Sequence, residues 1–420
     1  MAKALACRTA VIAALVLLVP VLPAAAYSVL THEQIVDVVW KDELVPALKA
    51  RFPKATDEEL RTAHAYAYGG SVVHDMGYYP FGSRLFSDLL HYVRSGDFVE
   101  ALLAEAQTLD ERAFALGALA HYASDRAGHP SINRAVALSF PKLRARYGDV
   151  VTYAEDPKAH LRTEFGFDVV QVAKGRYTSD SYHDFIGFEV ARPVLERAFQ
   201  KTYDVALGDV IGDVGLAIGS LRRGASAVVP ELTRIAVMSE RLKAVPDAPN
   251  AATRTLLYTL SRADYEKEWG TTYRRPGFLG RVLAVVLRAV PKVGPFQALK
   301  VKVPNAQTED LYVKSVNLTL ERYRALVRES THGSVPLANI DCDTGEDARF
   351  GEYALADGAF GRLLDRLAQR GLDATSPPLR AAVLAFYADV SPQSAAKKAR
   401  KDWRRTESQL GALRTAAAAR

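Results

Sequence analysis

His121-x3-Asp125 puts an imidazole and a carboxylate one helical turn apart, so that both project from the same face of a helix. Gly128 and Pro130 follow; they predict the end of that helix, with His129 free to swing beside the pair. The preceding run Ala113–Ala120 is apolar on every side, which predicts a deeply buried helix. An unpaired carboxylate there would cost on the order of several kcal/mol, a cost that a bound cation removes. A hydrogen-bonded His–Asp pair in a core is the plain alternative. His160-x3-Glu164 repeats the spacing in a helix that begins at Pro157, and Asp75 is followed sixteen residues later by His91 in the amphipathic stretch Leu89–Tyr92. His32 lies five residues after a predicted mature N-terminus at Tyr27, whose α-amine and carbonyl oxygen can chelate a metal in a five-membered ring. Zinc takes imidazole and carboxylate ligands of this kind at ~2.0–2.2 Å.

The elements that must hold these residues read as helices. Apolar positions recur every three or four residues nearly throughout, and alternating runs are scarce, so the expected class is all-α. Helices are predicted near 32–50, 57–68, 83–95, 97–107, 110–127, 157–174 and 190–202, with more between 207 and 245. Beyond a Pro/Asn/Ala linker at 245–252 they resume near 253–268, 277–290, 307–329 and 377–390. Thr31 with Gln34 and Thr56 with Glu59 have capping-box spacing, and Asp156 precedes a first-turn Pro157.

Residues 9–22 are an apolar run after Lys3 and Arg8 and before Ala24-Ala25-Ala26. That run is too short to span a bilayer and reads as a signal peptide, 1–26, of an exported chain, periplasmic or secreted. Cys7 leaves with it, so Cys342 alone excludes an internal disulfide or a thiolate zinc site. The tail 393–420 carries eight Lys/Arg against Asp402 and Glu407, while the whole chain is only +6. The body is therefore near neutral and offers no basic nucleic-acid footprint; the tail reads as a frayed, solvated helix. The segmentation is 1–26, a helical domain 27–245, a helical region 246–392 and the basic tail 393–420.

The ordered set Tyr27, His32, Asp75, His91, His121-x3-Asp125, His129-Pro130 and His160-x3-Glu164 resembles the zinc-dependent phospholipase C family, which is related to the single-strand-specific zinc nucleases. The resemblance is specific over 27–170 and looser to about 245. It implies an all-helical fold with three zinc ions. Asp75, His91, His121 and Asp125 would hold the first, and His129, His160 and Glu164 the second. Tyr27, His32 and a bridging Asp125 would hold the third. It further implies a hydrolase that uses a metal-bridging hydroxide to cleave a phospholipid or related phosphodiester, with Asp75 and Asp125 as catalytic carboxylates and no stable nucleic-acid partner. Two departures stand out: Tyr27 replaces the family's usual Trp, and Asp125 and His129 lie four residues apart where the family commonly has a longer spacing. The rival functions are a single-strand nuclease and a protein whose metals only staple helices.

Other motifs are weaker. His64 reads as a structural histidine, and His74 as a replacement for Asp75 or a donor to it. His183 is a remote candidate for substrate contact, and His332 an exposed loop residue. Residues 341–352 have acids at calcium-loop positions but Glu346 where glycine is required, which makes an acidic surface turn the better reading. Arg281 and Arg288 share a face of the apolar stretch 277–290; an internal helix with one wet edge is preferred there to an interfacial helix touching a membrane. Serine-hydrolase and nucleotide-binding fingerprints are absent.

Overall fold

The computed structural model describes residues 28–173, 187–230, 232–233, 236, 301–333, 335–388 and 400–418. Among them no strand forms, and the β pairing consists of an isolated antiparallel bridge between Ile340 and Asp347. The all-α expectation holds. Tyr27, the signal segment, the 245–252 linker, the helices at 253–268 and 277–290, and His183 lie outside the described residues.

The helices are α1 (Val29–Val39), α2 (Val45–Arg51), α3 (Asp57–Val72), α4 (Arg84–Tyr92), α5 (Ser95–Glu105), α6 (Leu109–Ser139), α7 (Pro141–Tyr147), α8 (Pro157–Ala173), α9 (Arg192–Tyr203), α10 (Leu207–Val210), α11 (Val214–Arg223), α12 (Ala306–His332), α13 (Ala354–Arg370), α14 (Pro377–Phe386) and α15 (Arg400–Ala418). Thr56 and Glu59 form the expected capping box of α3, and Asp156 Oδ1 accepts from the Ala159 amide at 2.9 Å to start α8. Thr31 does not cap α1, which begins after Ser28. The Thr31 hydroxyl and the Leu30 amide instead donate to Asp168 of α8, at 2.5 and 3.1 Å. A carboxylate from a neighbouring helix thus meets the electropositive start of α1 and fixes where His32 stands.

α6 is the central element, and it corrects the sequence reading: it does not stop at Gly128 but runs unbroken through Pro130 to Ser139. An interior proline costs about 3 kcal/mol and frees the carbonyl four residues earlier, here that of Arg126. Ile132 and Val136 beyond it are fully buried, each contributing about 1.5–3 kcal/mol, so burial of the last turns outweighs the break. The turn at 341–347 covers the freed carbonyl. Gly345, at φ 78°, sits so close that a Cβ there would lie 3.3 Å from both Arg126 O and Pro130 Cγ.

α3 and α6 cross at backbone contact. A Cβ on Gly70 would fall 2.0 Å from Phe114 O, and one on Gly117 would fall 2.0 Å from Ala67 O. Glycine is required at both places because only a bare Cα allows the helices so near. α12 lies along α6 and donates from Tyr323 Oη to Leu116 O at 2.9 Å; its apolar face joins the same core that runs from Val29 to Leu413. The tail also departs from expectation. α15 docks through buried Leu410 and Leu413, and its Arg405 and Gln409 both bind Asp365 of α13. Two further helices, α7 and α13, were not predicted.

Candidate metal centre

Five elements bring the candidate ligands together. α1 supplies His32, the 3-10 segment Val73–Tyr78 supplies Asp75, and α4 supplies His91. α6 supplies His121, Asp125 and His129. Because α6 continues past Pro130, these three form one stripe at i, i+4 and i+8, and His129 does not need to swing free of a helix end. His160 and Glu164 face that stripe from α8, where Glu164 Oε1 lies 2.7 Å from His160 Nδ1. Every one of these side chains is buried.

Ligating atoms fall into three groups: His32, His121 and Asp125; Asp75, His91 and His121; and His129, His160 and Glu164. His121 is common to the first two, and Asp125 of the first also reaches His91 of the second. Asp125 Oδ2 lies 3.0 Å from His121 Nε2 and 3.4 Å from His91 Nε2, while Oδ1 is 3.9 Å from His32 Nε2. Asp75 Oδ1 is 3.6 Å from His91 Nε2. The two imidazoles approach each other nitrogen to nitrogen, with His121 Nε2 3.4 Å from His91 Nε2.

The far side of each ring explains this convergence. His91 Nδ1 donates to Ser87 O at 2.8 Å, His121 Nδ1 to Ser71 O at 2.8 Å, and His129 Nδ1 to Cys342 O at 2.5 Å. His160 is held in the opposite tautomer, its Nε2 donating to Asn133 Oδ1 at 2.8 Å. A carbonyl can only accept, so each bond keeps a proton on the outer nitrogen and leaves the inner nitrogen as the one whose lone pair a metal can take. Backbone or amide anchoring of this kind is how ligating histidines are oriented.

The electrostatics follow from burial. Desolvation pushes Asp75 up to about 7, against the pull of His121 and His91. Burial alone would lower His91, but its contact with Asp125 and the charge of Asp75 raise it to about 10. Burial likewise opposes ionisation of Asp125, yet His121 and His91 hold it well below the usual carboxylate range. His160 is lowered by burial to about 4 and therefore stays neutral, and burial with the nearby His121 lowers His32 as well.

The residues fit a bound divalent metal. Neither carboxylate oxygen of Asp75 or Asp125 is satisfied by a well-aligned hydrogen bond, and His160 Nδ1 is likewise buried without one. Buried acceptors in this number are costly unless a cation takes their lone pairs. Imidazole and carboxylate donors without thiolate suit zinc.

Residues 31–211 match the family model described as zinc dependent phospholipase C. That segment belongs to the zinc-dependent phospholipase C family. The match spans somewhat under half of the chain and contains every candidate ligand named above except Tyr27. The family that this segment matches is one of hydrolases that act on phospholipids. No curated protein and no solved structure matches the chain.

Around the family site, His64 is structural as expected, bonded to Asp37 at 2.9 Å and stacked on Trp40. His74 neither replaces Asp75 nor donates to it; its ring lies flat on His121 at 4.3 Å. His332 is exposed, but in the last turn of α12 and not in a loop. The segment 341–352 is corrected in part: Glu346, Asp347 and Glu352 are exposed as expected of a surface turn, but Asp341, Cys342 and Asp343 are buried, where Tyr92 and Asn133 draw Asp343 inward by hydrogen bonds. Sequence reasoning missed Asn133 and Asp343. Asn133 was within reach, since it continues the stripe His121, Asp125, His129 by one more turn once α6 is known to continue. Asp343 was read only as an acid of the 341–352 turn, because nothing in the sequence links it to ligands some 180 residues away.

Proposed function

We propose that the chain is an exported phospholipase C-type hydrolase that cleaves a phospholipid or related phosphodiester at a cluster of three zinc ions. The observation that carries this reading is the inward-facing lone pairs of His91, His121, His129 and His160, each fixed by a hydrogen bond on its outer nitrogen. Asp75, His91, His121 and Asp125 would hold the first ion, and His129, His160 and Glu164 the second. His32 and Asp125 would hold the third, with the amine and carbonyl of Tyr27 as family resemblance implies. Bound zinc supplies Lewis acidity toward a phosphoryl oxygen and makes water a nucleophile near neutral pH.

The chain's own residues shape what happens there. Asp75 orients the attacking water and can accept its proton on a carboxylate oxygen, while Asp125 would serve as the carboxylate shared between two metals. Tyr78 and Tyr153 roof the cluster, with ring centroids 6.4 Å from His91 and 5.9 Å from His160, and keep bulk water away. Arg84 lies outside them, donating to Tyr153 Oη at 3.3 Å with its side chain exposed. It offers a fixed cation to an incoming phosphate. Among the described residues no helix is long and apolar enough to cross a membrane; export is proposed on residues 1–26.

The deciding experiment uses the chain beginning at Tyr27, loaded with zinc. It should carry about three zinc per chain and hydrolyse para-nitrophenyl phosphocholine, and Asp125→Ala should lower both. Brisk cutting of single-stranded DNA with phosphocholine esters untouched would make it a nuclease. Less than one zinc per chain after supplementation would refute the reading altogether.

A further inference from the structure

The segment 335–347 lies beyond the family-matched residues and contains no histidine, yet it enters the centre beside His129. Cys342 O accepts the proton of His129 Nδ1, which leaves the bare Nε2 facing Asp343 Oδ1 at 3.6 Å and Glu164 Oε1 at 4.0 Å. His160 Nδ1, buried and without a hydrogen bond, points to the same place from α8. Donor atoms of a tetrahedral zinc with bonds of ~2.0–2.1 Å stand ~3.3–3.4 Å from one another, close to the spacing from His129 to Asp343.

Asp343 is also held as a ligand would be. Its Oδ2 accepts from Tyr92 Oη at 2.7 Å and Tyr353 Oη at 2.5 Å, and its backbone carbonyl accepts from Asn133 Nδ2 at 2.8 Å. Two phenols therefore fix the carboxylate and Asn133 fixes its backbone, which leaves Oδ1 toward His129 Nε2. Asn133 joins the two halves of this arrangement, because its other amide atom sets the tautomer of His160.

We propose that Asp343 is a direct ligand of the second metal, completing the group His129, His160 and Glu164 from outside the family segment. The inference rests on the zinc reading above and adds to it that the C-terminal part of the chain closes a metal site. Four protein donors retain an ion more tightly than three, so the shortened spacing from Asp125 to His129 does not leave this site weak.

The test is zinc content and affinity of the full chain from Tyr27, read by competition with a chromophoric chelator, for wild type, Asp343→Asn, Glu164→Gln and His91→Ala. Asp343→Asn keeps an acceptor for the phenols but loses the charge. It should weaken one zinc at least tenfold, the same ion that Glu164→Gln releases, and leave untouched the ion that His91→Ala affects. Should Asp343→Asn not fold, as judged by circular dichroism, the Tyr92→Phe, Tyr353→Phe double variant takes its place; it frees the carboxylate without removing it and should also weaken that ion. A folded Asp343→Asn, or the double variant in its stead, that holds every zinc at wild-type affinity while Glu164→Gln loses one overturns this inference and leaves the functional reading intact. A wild-type chain without zinc overturns both.

Discussion

Replacing Asn133 with Leu tests whether a single amide governs the second metal site. The substitution keeps the branched outline but removes two buried partners: the acceptor for His160 Nε2 and the donor to Asp343 O, each at 2.8 Å. With no acceptor on the outer side, the imidazole proton is better placed on Nδ1, where the Glu164 carboxylate lies 2.7 Å away. A hydrogen bond to a charged group is worth about 1.5–3 kcal/mol, and zinc must then displace that proton. At about 1.4 kcal/mol per factor of ten, affinity at the second site should fall roughly 10- to 100-fold. Asn133→Asp separates tautomer control from packing, because a carboxylate accepts the same Nε2 proton and should retain most of the affinity. Chelator competition on folded protein measures both variants. Equal second-site affinity in Asn133→Leu and wild type would refute the tautomer argument, and equal losses in the Leu and Asp variants would reduce Asn133 to a packing residue.

Two further outcomes follow from the same geometry. Gly117→Ala would place a methyl 2.0 Å from Ala67 O, and backbone cannot yield that far without parting α3 from α6. The variant should lose about 1–3 kcal/mol in denaturant unfolding and bind zinc more weakly, since Ser71 O on α3 anchors His121; an unchanged midpoint would refute the close-contact account. In metal-free protein the folded-state pKa of His91 is raised to about 10 and that of Asp75 to about 7. Groups raised above their unfolded values stabilise most below those values, so the metal-free chain should lose thermal stability as pH rises from about 6.5 to 10, with Asp75 having already acted between about 4 and 7. Bound zinc takes the place of the proton and should abolish the alkaline part of that loss. Melting curves with chelator or with zinc, across that range, check it; parallel curves would count against His91 as a ligand.

The sequence by itself determined the parts of this protein that depend on spacing within one helix. His121 with Asp125 and His160 with Glu164 lie one turn apart in any helix, and a period of three to four in apolar residues is enough to predict an all-α chain. The apolar run Ala113–Ala120 likewise announced a buried α6, because no face of it could be left to water. Whatever depended on a contact between distant segments was decided by tertiary structure alone. α6 passes Pro130 because Ile132 and Val136 find a core and Gly345 covers the exposed carbonyl, which local propensity could not reveal. Thr31 binds Asp168 rather than capping its own helix, for α8 brings a carboxylate to that end. The carbonyls of Ser71, Ser87 and Cys342 that set the histidine tautomers are backbone atoms and leave no trace in residue type. Asp343 looked like part of a solvated acidic turn, and only the fold placed it against His129. Its partners Tyr92, Asn133 and Tyr353 come from three elements far apart in the chain. A buried carboxylate is identified by what surrounds it, and those surroundings do not exist until the chain has folded.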